Sequence, residues 1–101
     1  MMQEVPKATV VVTNPTYIAI AIRYEPTEMQ TPKVLAKGKR LTAERIRQIA
    51  THAGIPIVED KPLARAMYDK VEVGFDIPIE FFAAVAEVLA YVYRLKKRNA
   101  A

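Results

Sequence analysis

The residue pair Asn14-Pro15 is the part of this sequence best suited to chemistry on the chain itself. Asparagine commonly cyclises when the next backbone N–H attacks its side-chain amide, and proline has no N–H. The reverse attack stays open, in which the Asn14 side-chain nitrogen adds to its own backbone carbonyl. That reaction closes a succinimide, expels the Pro15 nitrogen as the leaving group and leaves Asn14 as a new C-terminus.

This reaction needs a held geometry, because an amide is a weak nucleophile and a peptide carbonyl is a weak acceptor. A turn clamped between two strands could supply it through orientation, local strain and backbone N–H groups directed at the developing oxyanion. Taken alone, Asn-Pro is typical of an ordinary turn, so both interpretations stay open at this point. N-glycosylation is excluded because a proline follows Asn14.

Other chemistry-bearing residues are few. The 101 residues include no Cys, no Ser and no Trp, three Gly, and one His at position 52. Disulfides, thiolate metal sites and catalysis by serine or cysteine are therefore excluded. A glycine-rich phosphate loop is disfavoured because the sequence has only three glycines. We expect no cofactor and no metal ion.

Two strand patterns flank the Asn-Pro pair and must position it. Residues 9–13 are a β-branched run typical of a buried strand. In residues 17–24 large and small side chains alternate, and the small side chains of Ala19 and Ala21 leave room for a packed helix on one face. Further strands are predicted at 33–36 and 55–58. Three helices are also predicted. The first runs from Thr42, its expected N-cap, to residue 53, the second is a short helix capped by Asp60, and the third runs from residue 76 to about residue 97. Residues 1–8 are expected to be a loose lead-in. These elements predict one α/β domain, a small central sheet of about four strands surrounded by helices.

Helical spacing predicts which side chains of the later helices are buried. In the short helix after Asp60 these are Leu63, Ala66 and Met67. In the last helix the inner face consists of Phe81, Phe82, Val85, Val88, Leu89 and Val92.

The net charge of +4 is concentrated in residues 33–47 and in the basic end of the last helix. A nucleic-acid surface usually interleaves aromatic and basic residues, and residues 33–47 contain no aromatic residue. We therefore expect no nucleic acid partner, and a small basic nucleic-acid-binding domain stays a minor alternative. The longest apolar run, residues 81–93, is too short to span a membrane, and no signal-peptide pattern is visible, which predicts a soluble chain.

Several segments together resemble one known family. One segment is similar to the autocleavage segment of the FlhB/YscU family, the export-switch proteins of flagellar and virulence type III secretion. It reads V-V-V-T-N-P-T at 10–16 and is followed by I-A-I-A-I-R-Y. Similar segments follow as P-K-V-L-A-K-G at 32–38, G-I-P-I at 54–57, P-L-A-R-A-M-Y at 62–68 and A-V-A-E-V-L-A-Y-V at 84–92. The resemblance covers residues 5–98, and the segment at 32–38 favours the flagellar branch.

The resemblance implies a domain organisation and a function. Residues 1–8 would be the linker from a membrane domain not included here, 9–98 the autocleaving cytoplasmic domain, and 99–101 a tail. Family members cut themselves between Asn and Pro, the fragments stay associated, and the cut switches export substrate specificity. The implied partners are the export gate, the hook- or needle-length control protein, export substrates and the cleaved N-terminal fragment. The implied location is the cytoplasmic face of the bacterial inner membrane, in which the full-length protein is anchored.

The family's catalytic motif carries over to Asn14, Pro15, Thr16 and Tyr17, with one departure. The family has His at the fourth position, which can accept a proton near neutral pH, whereas a phenol with a pKa of about 10 is a poor base. We therefore expect a single-turnover intramolecular cleavage that is slower than in the family pattern. The alternative is a docking module of the same apparatus in which Tyr17 has abolished cleavage.

A second candidate surface lies in the P-L-A-R-A-M-Y segment. Its candidate docking residues for export partners are Pro62, Leu63, Ala64, Arg65 and Tyr68. The same segment has the spacing of a core-facing helix, so packing and docking both stay open as interpretations.

Overall fold

A computed structural model of the chain describes residues 1–100, with side chains described through residue 98. Ala101, the end of the predicted tail, lies outside the described residues. The strands are β1 (Val10–Asn14), β2 (Ile18–Arg23), β3 (Lys33–Lys39) and β4 (Ile57–Glu59). The helices are α1 (Leu41–His52), α2 (Lys61–Tyr68) and α3 (Phe82–Ala100), and single 3-10 segments cover Met2–Lys7 and Ile79–Phe81.

The four strands form one mixed sheet in the order β3-β2-β1-β4. β2 pairs antiparallel with β1 and β3, whereas β4 joins β1 in parallel. β1 is therefore an inner strand, and its central residue Val12 lies opposite Ile20 of β2 and Val58 of β4. The predicted fold class, a small four-stranded sheet with helices around it, is confirmed.

Alternation of side chains along β1 and β2 builds a core on each face of the sheet. On one face Val10, Val12 and the isoleucines of β2 pack with buried residues of α2 and α3. On the other face Val11, Ala19 and Ala21 pack with buried residues of α1. Both alanines are fully buried, as predicted for small side chains that let a helix approach the sheet.

The N-terminal residues are not the loose lead-in that the sequence predicts. Met2–Lys7 forms a 3-10 helix, and Val5 is fully buried in the core on the α1 side of the sheet. Arg23 Nη1 donates a hydrogen bond to the carbonyl oxygen of Lys7 at 3.0 Å. A six-residue segment is too short for its few apolar side chains to give a periodic signal, which is why the sequence pattern missed this packing.

The junction between β3 and α1 also differs from the prediction. β3 continues to Lys39, three residues past the predicted end, and Arg40 alone connects it to α1. Thr42 is not the N-cap, because Arg40 occupies that position and makes no side-chain cap hydrogen bond. The Thr42 side chain instead lies so close to Gly38 that a Cβ at residue 38 would overlap it. Other ends shift by a few residues, since β4 begins at Ile57 and the last helix at Phe82.

α2 begins as predicted but buries a different stripe. The Asp60 carboxylate accepts a hydrogen bond from the Leu63 backbone N–H at 3.1 Å, which confirms the predicted cap. The buried residues are Leu63, Ala64 and Met67, whereas Ala66, predicted to be buried, is exposed. Both stripes fit a helical repeat, and the position of the sheet decides between them.

α3 contributes the largest helical share of the core. Of the six inner residues predicted for the last helix, five are buried, including Phe81 in the 3-10 segment just before α3, and Phe82 is the exception at 36% exposed. Among residues 1–100, no helix is both long enough and apolar enough to cross a lipid bilayer.

Candidate functional site

The Asn14-Pro15 pair lies where a buried strand becomes an exposed turn. Thr13 is 2% exposed within β1, and Asn14 ends that strand opposite Ile18 of β2. Residues 15–17 form the turn, with Asn14 and Pro15 half-buried and Thr16 and Tyr17 exposed. The predicted turn between two paired strands is confirmed.

The backbone carbonyl of Asn14, the group that cyclisation would attack, accepts a hydrogen bond within the turn. Its donor is the Tyr17 backbone N–H, at 2.7 Å. Such a donor draws electron density from the carbonyl carbon and remains in place if the oxygen becomes an anion. Position 17 supplies this backbone donor whatever its side chain.

Three further hydrogen bonds, each 2.9 Å long, hold the backbone on both sides of the pair. The donor and acceptor pairs are Asp60 N–H to Thr13 O, Arg47 Nη1 to Pro15 O, and Arg40 N–H to Tyr17 O. The donors come from three separate places in the chain, namely the start of α2, the middle of α1 and the β3–α1 junction. Sequence reasoning identifies none of these contacts and predicts Asp60 only as a helix cap.

The strain expected in the turn lies instead beside it. Among residues 1–100, Arg40 is the non-glycine residue with a positive φ, at φ 53° and ψ −117°. Positive φ is unfavourable for a residue with a Cβ. Residues 14–17 have no positive φ, so the turn is positioned by hydrogen bonds rather than by left-handed backbone.

The Tyr17 ring, 42% exposed, lies near two cations. Lys39 Nζ and the guanidinium carbon of Arg40 are 5.8 and 5.7 Å from its centroid. Lys39 Nζ is also 4.6 Å from the centroid of the Tyr68 ring, at the end of α2. These distances fall within the range of cation–π attraction. Lys39 thus connects the turn to α2.

A second lysine holds the chain at the end of α2. Lys37 Nζ donates hydrogen bonds to the carbonyl oxygens of Tyr68 and Val71, at 2.8 and 2.9 Å. It also lies 4.7 Å from the centroid of the Tyr68 ring. A cation at these carbonyls complements the negative end of the helix dipole.

The five candidate docking residues do not share one surface. Leu63 is 7% exposed and Ala64 is fully buried, so both contribute to the core rather than to a docking surface. Pro62 and Arg65 are exposed and Tyr68 is half-buried. Only these last three are accessible to a partner.

An apolar groove of about 310 Å³ lies apart from the turn, between α3 and the segment that follows β2. Its lining residues are Tyr24, Gln30, Pro32, Phe82, Ala86, Leu89, Ala90 and Tyr93. Burial raises the pKa of Tyr93 above its ordinary value of 10.0, and the Glu25 carboxylate and Tyr24 add to the rise. The sequence patterns do not mark this groove as a site.

The described part of the chain contains no cluster of three or more His, Asp or Glu side chains that could hold a metal ion.

Comparison with protein families identifies one match over most of the chain. A family model described as the FlhB HrpN YscU SpaS family matches residues 1–92. The matched region includes the N-terminal 3-10 helix, the whole sheet and the turn at Asn14.

Several curated relatives are about half identical to this chain. The flagellar biosynthetic protein FlhB of Bacillus subtilis is 51% identical over 98 residues, which is 97% of this chain and 27% of the relative. That of Salmonella typhimurium is 52% identical over 97 residues, which is 96% of this chain and 25% of the relative. The chain thus spans about a quarter of the length of these relatives.

Solved structures match the fold over nearly the whole chain. The cytoplasmic domain of FlhB from Shewanella putrefaciens has a TM-score of 0.92 at 41% identity, covering 98% of this chain and 76% of that one. The C-terminal domain of EscU carrying an asparagine-to-alanine substitution has a TM-score of 0.85 at 36% identity, covering 90% of this chain and 91% of that one.

Proposed function

This chain belongs to the FlhB HrpN YscU SpaS family, with its flagellar branch supported by the relatives, and from that premise we propose that it cuts its own backbone between Asn14 and Pro15. The cut controls a switch in the substrates of a type III export apparatus. Each molecule cuts once, without an external substrate. The domain works at the cytoplasmic face of the inner membrane.

The proposed reaction is balanced within the chain. Asn14 Nδ2 forms a bond to its own backbone carbonyl carbon, and the bond from that carbon to the Pro15 nitrogen breaks. The electron pair of the broken bond and one proton from the amide pass to the Pro15 nitrogen, which becomes a free secondary amine. The first fragment ends in a succinimide, which one water molecule then opens.

The observation that carries this proposal is the 2.7 Å hydrogen bond from the Tyr17 N–H to the Asn14 carbonyl oxygen. The oxygen of this carbonyl gains negative charge when the amide attacks, and the donor is already in place to stabilise it. Removing one comparable donor from an enzyme's oxyanion hole slows its reaction by roughly 100- to 1,000-fold.

Pro15 has two functions in the proposed reaction. Because it lacks an N–H, it blocks the competing attack on the Asn14 side chain. It also provides the departing amine. Thr16 lies exposed at the tip of the turn, and its inclusion in the site rests on the family motif.

The phenol of Tyr17 does not supply the proton acceptor that the family's His would. We therefore expect slow cleavage with no inflection in rate near the pKa of imidazole, about 6.5. The variant Tyr17→His is expected to cut faster and to show that inflection, since neutral imidazole accepts the amide proton above its pKa. Rates measured by intact mass between pH 5 and 8 test this, and identical profiles for the two chains would contradict it.

Intact mass over several days tests the cleavage itself. The unaltered chain is expected to give two fragments, separated after Asn14, that co-purify in native buffer. The variant Asn14→Ala is expected to remain whole, because it has no amide. Gln48→Ala is the matched control, since it removes an exposed amide from α1 and leaves the turn intact. A single uncut species of the unaltered chain throughout the experiment would refute the proposal.

Docking without cleavage is the second candidate function, supported by the exposed face of α2. Pro62, Arg65 and Tyr68 are accessible there, and Lys39 connects that face to the turn. The proposed partners are the export gate, the length-control protein and export substrates. If docking alone operates, Arg65→Ala weakens binding to export proteins in pull-down assays, whereas Asn14→Ala leaves binding unchanged.

A further inference from the structure

We propose that Arg47 of α1 is a positioning residue for the cut between Asn14 and Pro15. The inference rests on the proposed function, because it assigns a further residue to that reaction. Arg47 Nη1 donates a hydrogen bond to the Pro15 carbonyl oxygen at 2.9 Å. That carbonyl belongs to the residue that leaves, so Arg47 holds the side of the scissile bond opposite to the attacking amide.

The guanidinium of Arg47 makes its hydrogen bond to the turn. Arg47 is half-buried, and it takes part in none of the three ion pairs that link described residues. Its helix is a firm support, because Ala43, Ile46 and Ala50 of α1 are fully buried against the sheet. A side chain on a packed helix can hold the turn in one orientation, which a mobile surface arginine could not do.

Fixing the Pro15 carbonyl has two consequences for the reaction. It fixes the proline ring, and with it the plane of the Asn14–Pro15 peptide that the amide must approach. It also draws electron density from Pro15, which makes the departing amine less basic and a better leaving group. Hydrogen bonds from a charged donor are stronger than neutral ones, so Arg47 restrains the turn more than a neutral side chain would.

The test compares the cleavage rates of matched variants by intact mass. Arg47→Met keeps the apolar stem and removes the donor, and we expect it to slow cleavage roughly 10- to 100-fold, the effect of a misplacement near 1 Å. Arg47→Lys keeps a charged donor and is expected to retain part of the rate. Arg45→Met is the control, because Arg45 is exposed on the same helix. It is expected to cut at the unaltered rate.

Chemical rescue separates positioning from packing. Millimolar methylguanidinium is expected to restore part of the rate of Arg47→Ala and to leave the unaltered chain and Arg45→Met unchanged. Circular dichroism checks that each variant is folded. Slowing without rescue would reduce Arg47 to a packing role and overturn the inference.

The possible failures are distinguishable. If the unaltered chain is cut, and the Arg47→Met and Arg47→Lys variants are cut as fast as the unaltered chain, the inference is wrong and the proposed function stands. If the unaltered chain is never cut, both are refuted.

Discussion

Retention of the cleaved N-terminal fragment can be tested with the variant Val12→Ala. Val12 is fully buried in the middle of β1, between β2 on one side and β4 on the other. Once the chain is cut after Asn14, the strand is held by pairing and packing alone. Val10 and Val11 are also fully buried, so we expect the fragment of residues 1–14 to leave only when the domain unfolds.

The magnitude follows from the side chain that is removed. Val12→Ala deletes the equivalent of two buried methylene groups, each worth about 0.8 kcal/mol, and leaves a small cavity, for a total of about 2–3 kcal/mol. Since 1.4 kcal/mol is a factor of ten in an equilibrium constant, fragment affinity should fall roughly 30- to 140-fold.

The assay uses self-cut protein with an affinity tag on the N-terminal fragment. Release of the larger fragment from the resin is measured against urea concentration, alongside unfolding by circular dichroism. For the unaltered protein the two curves should coincide, and for Val12→Ala both should shift together to lower urea. Gln3→Ala, an exposed change on the same fragment, is the control and should shift neither curve.

Two results would refute this reasoning. One is release of the larger fragment at urea concentrations where the unaltered domain is still folded. The other is a Val12→Ala protein that retains its fragment as strongly as the control does.

Three further predictions concern the supports of the turn. Arg40→Gly should raise the free energy of unfolding by about 0.5–1 kcal/mol in urea titrations, because relief of the positive φ outweighs the flexibility of glycine. Gly38→Ala should lower it by about 1–3 kcal/mol in the same titrations, because the new Cβ overlaps Thr42. Asp60→Ala should lower the melting temperature through loss of a cap worth about 1 kcal/mol, whereas Asp60→Asn, which keeps a cap, should not.

The Arg40 prediction is contradicted if the Arg40→Gly protein is less stable than the unaltered protein. The Gly38 prediction is contradicted if the Gly38→Ala protein has unchanged stability, and the Asp60 prediction if the two Asp60 variants have equal melting temperatures.

Sequence patterns predict the local parts of this fold well. The β-branched run, the alternation with Ala19 and Ala21, and the Asn-Pro pair predict two strands and a turn in their observed places. Each of these features depends on neighbouring residues, so periodicity and turn chemistry suffice to find it. The Asn-Pro pair stands out by its own chemistry, whereas Thr16 and Tyr17 are assigned to the site only through the family resemblance.

The contacts that hold the turn could not be predicted in this way. Arg47 contacts a carbonyl 32 residues earlier in the chain, and nothing in the pattern around Arg47 differs from an ordinary helical arginine. The parallel pairing of β4 with β1 is likewise set by where the chain returns after α1. The burial of Ala64 rather than Ala66 depends on the rotation of α2 against the sheet.

The inner position of β1 also determines how the cut domain would respond to force. A pull on the N-terminal end must first extract the 3-10 helix with its buried Val5 and then acts on β1, which β2 and β4 hold on both edges. The strand is then loaded in shear, so its hydrogen bonds to both neighbours share the load at once instead of opening one after another. We therefore expect the cut domain to resist pulling from its N-terminus far better than peeling of β4 from the open edge of the sheet.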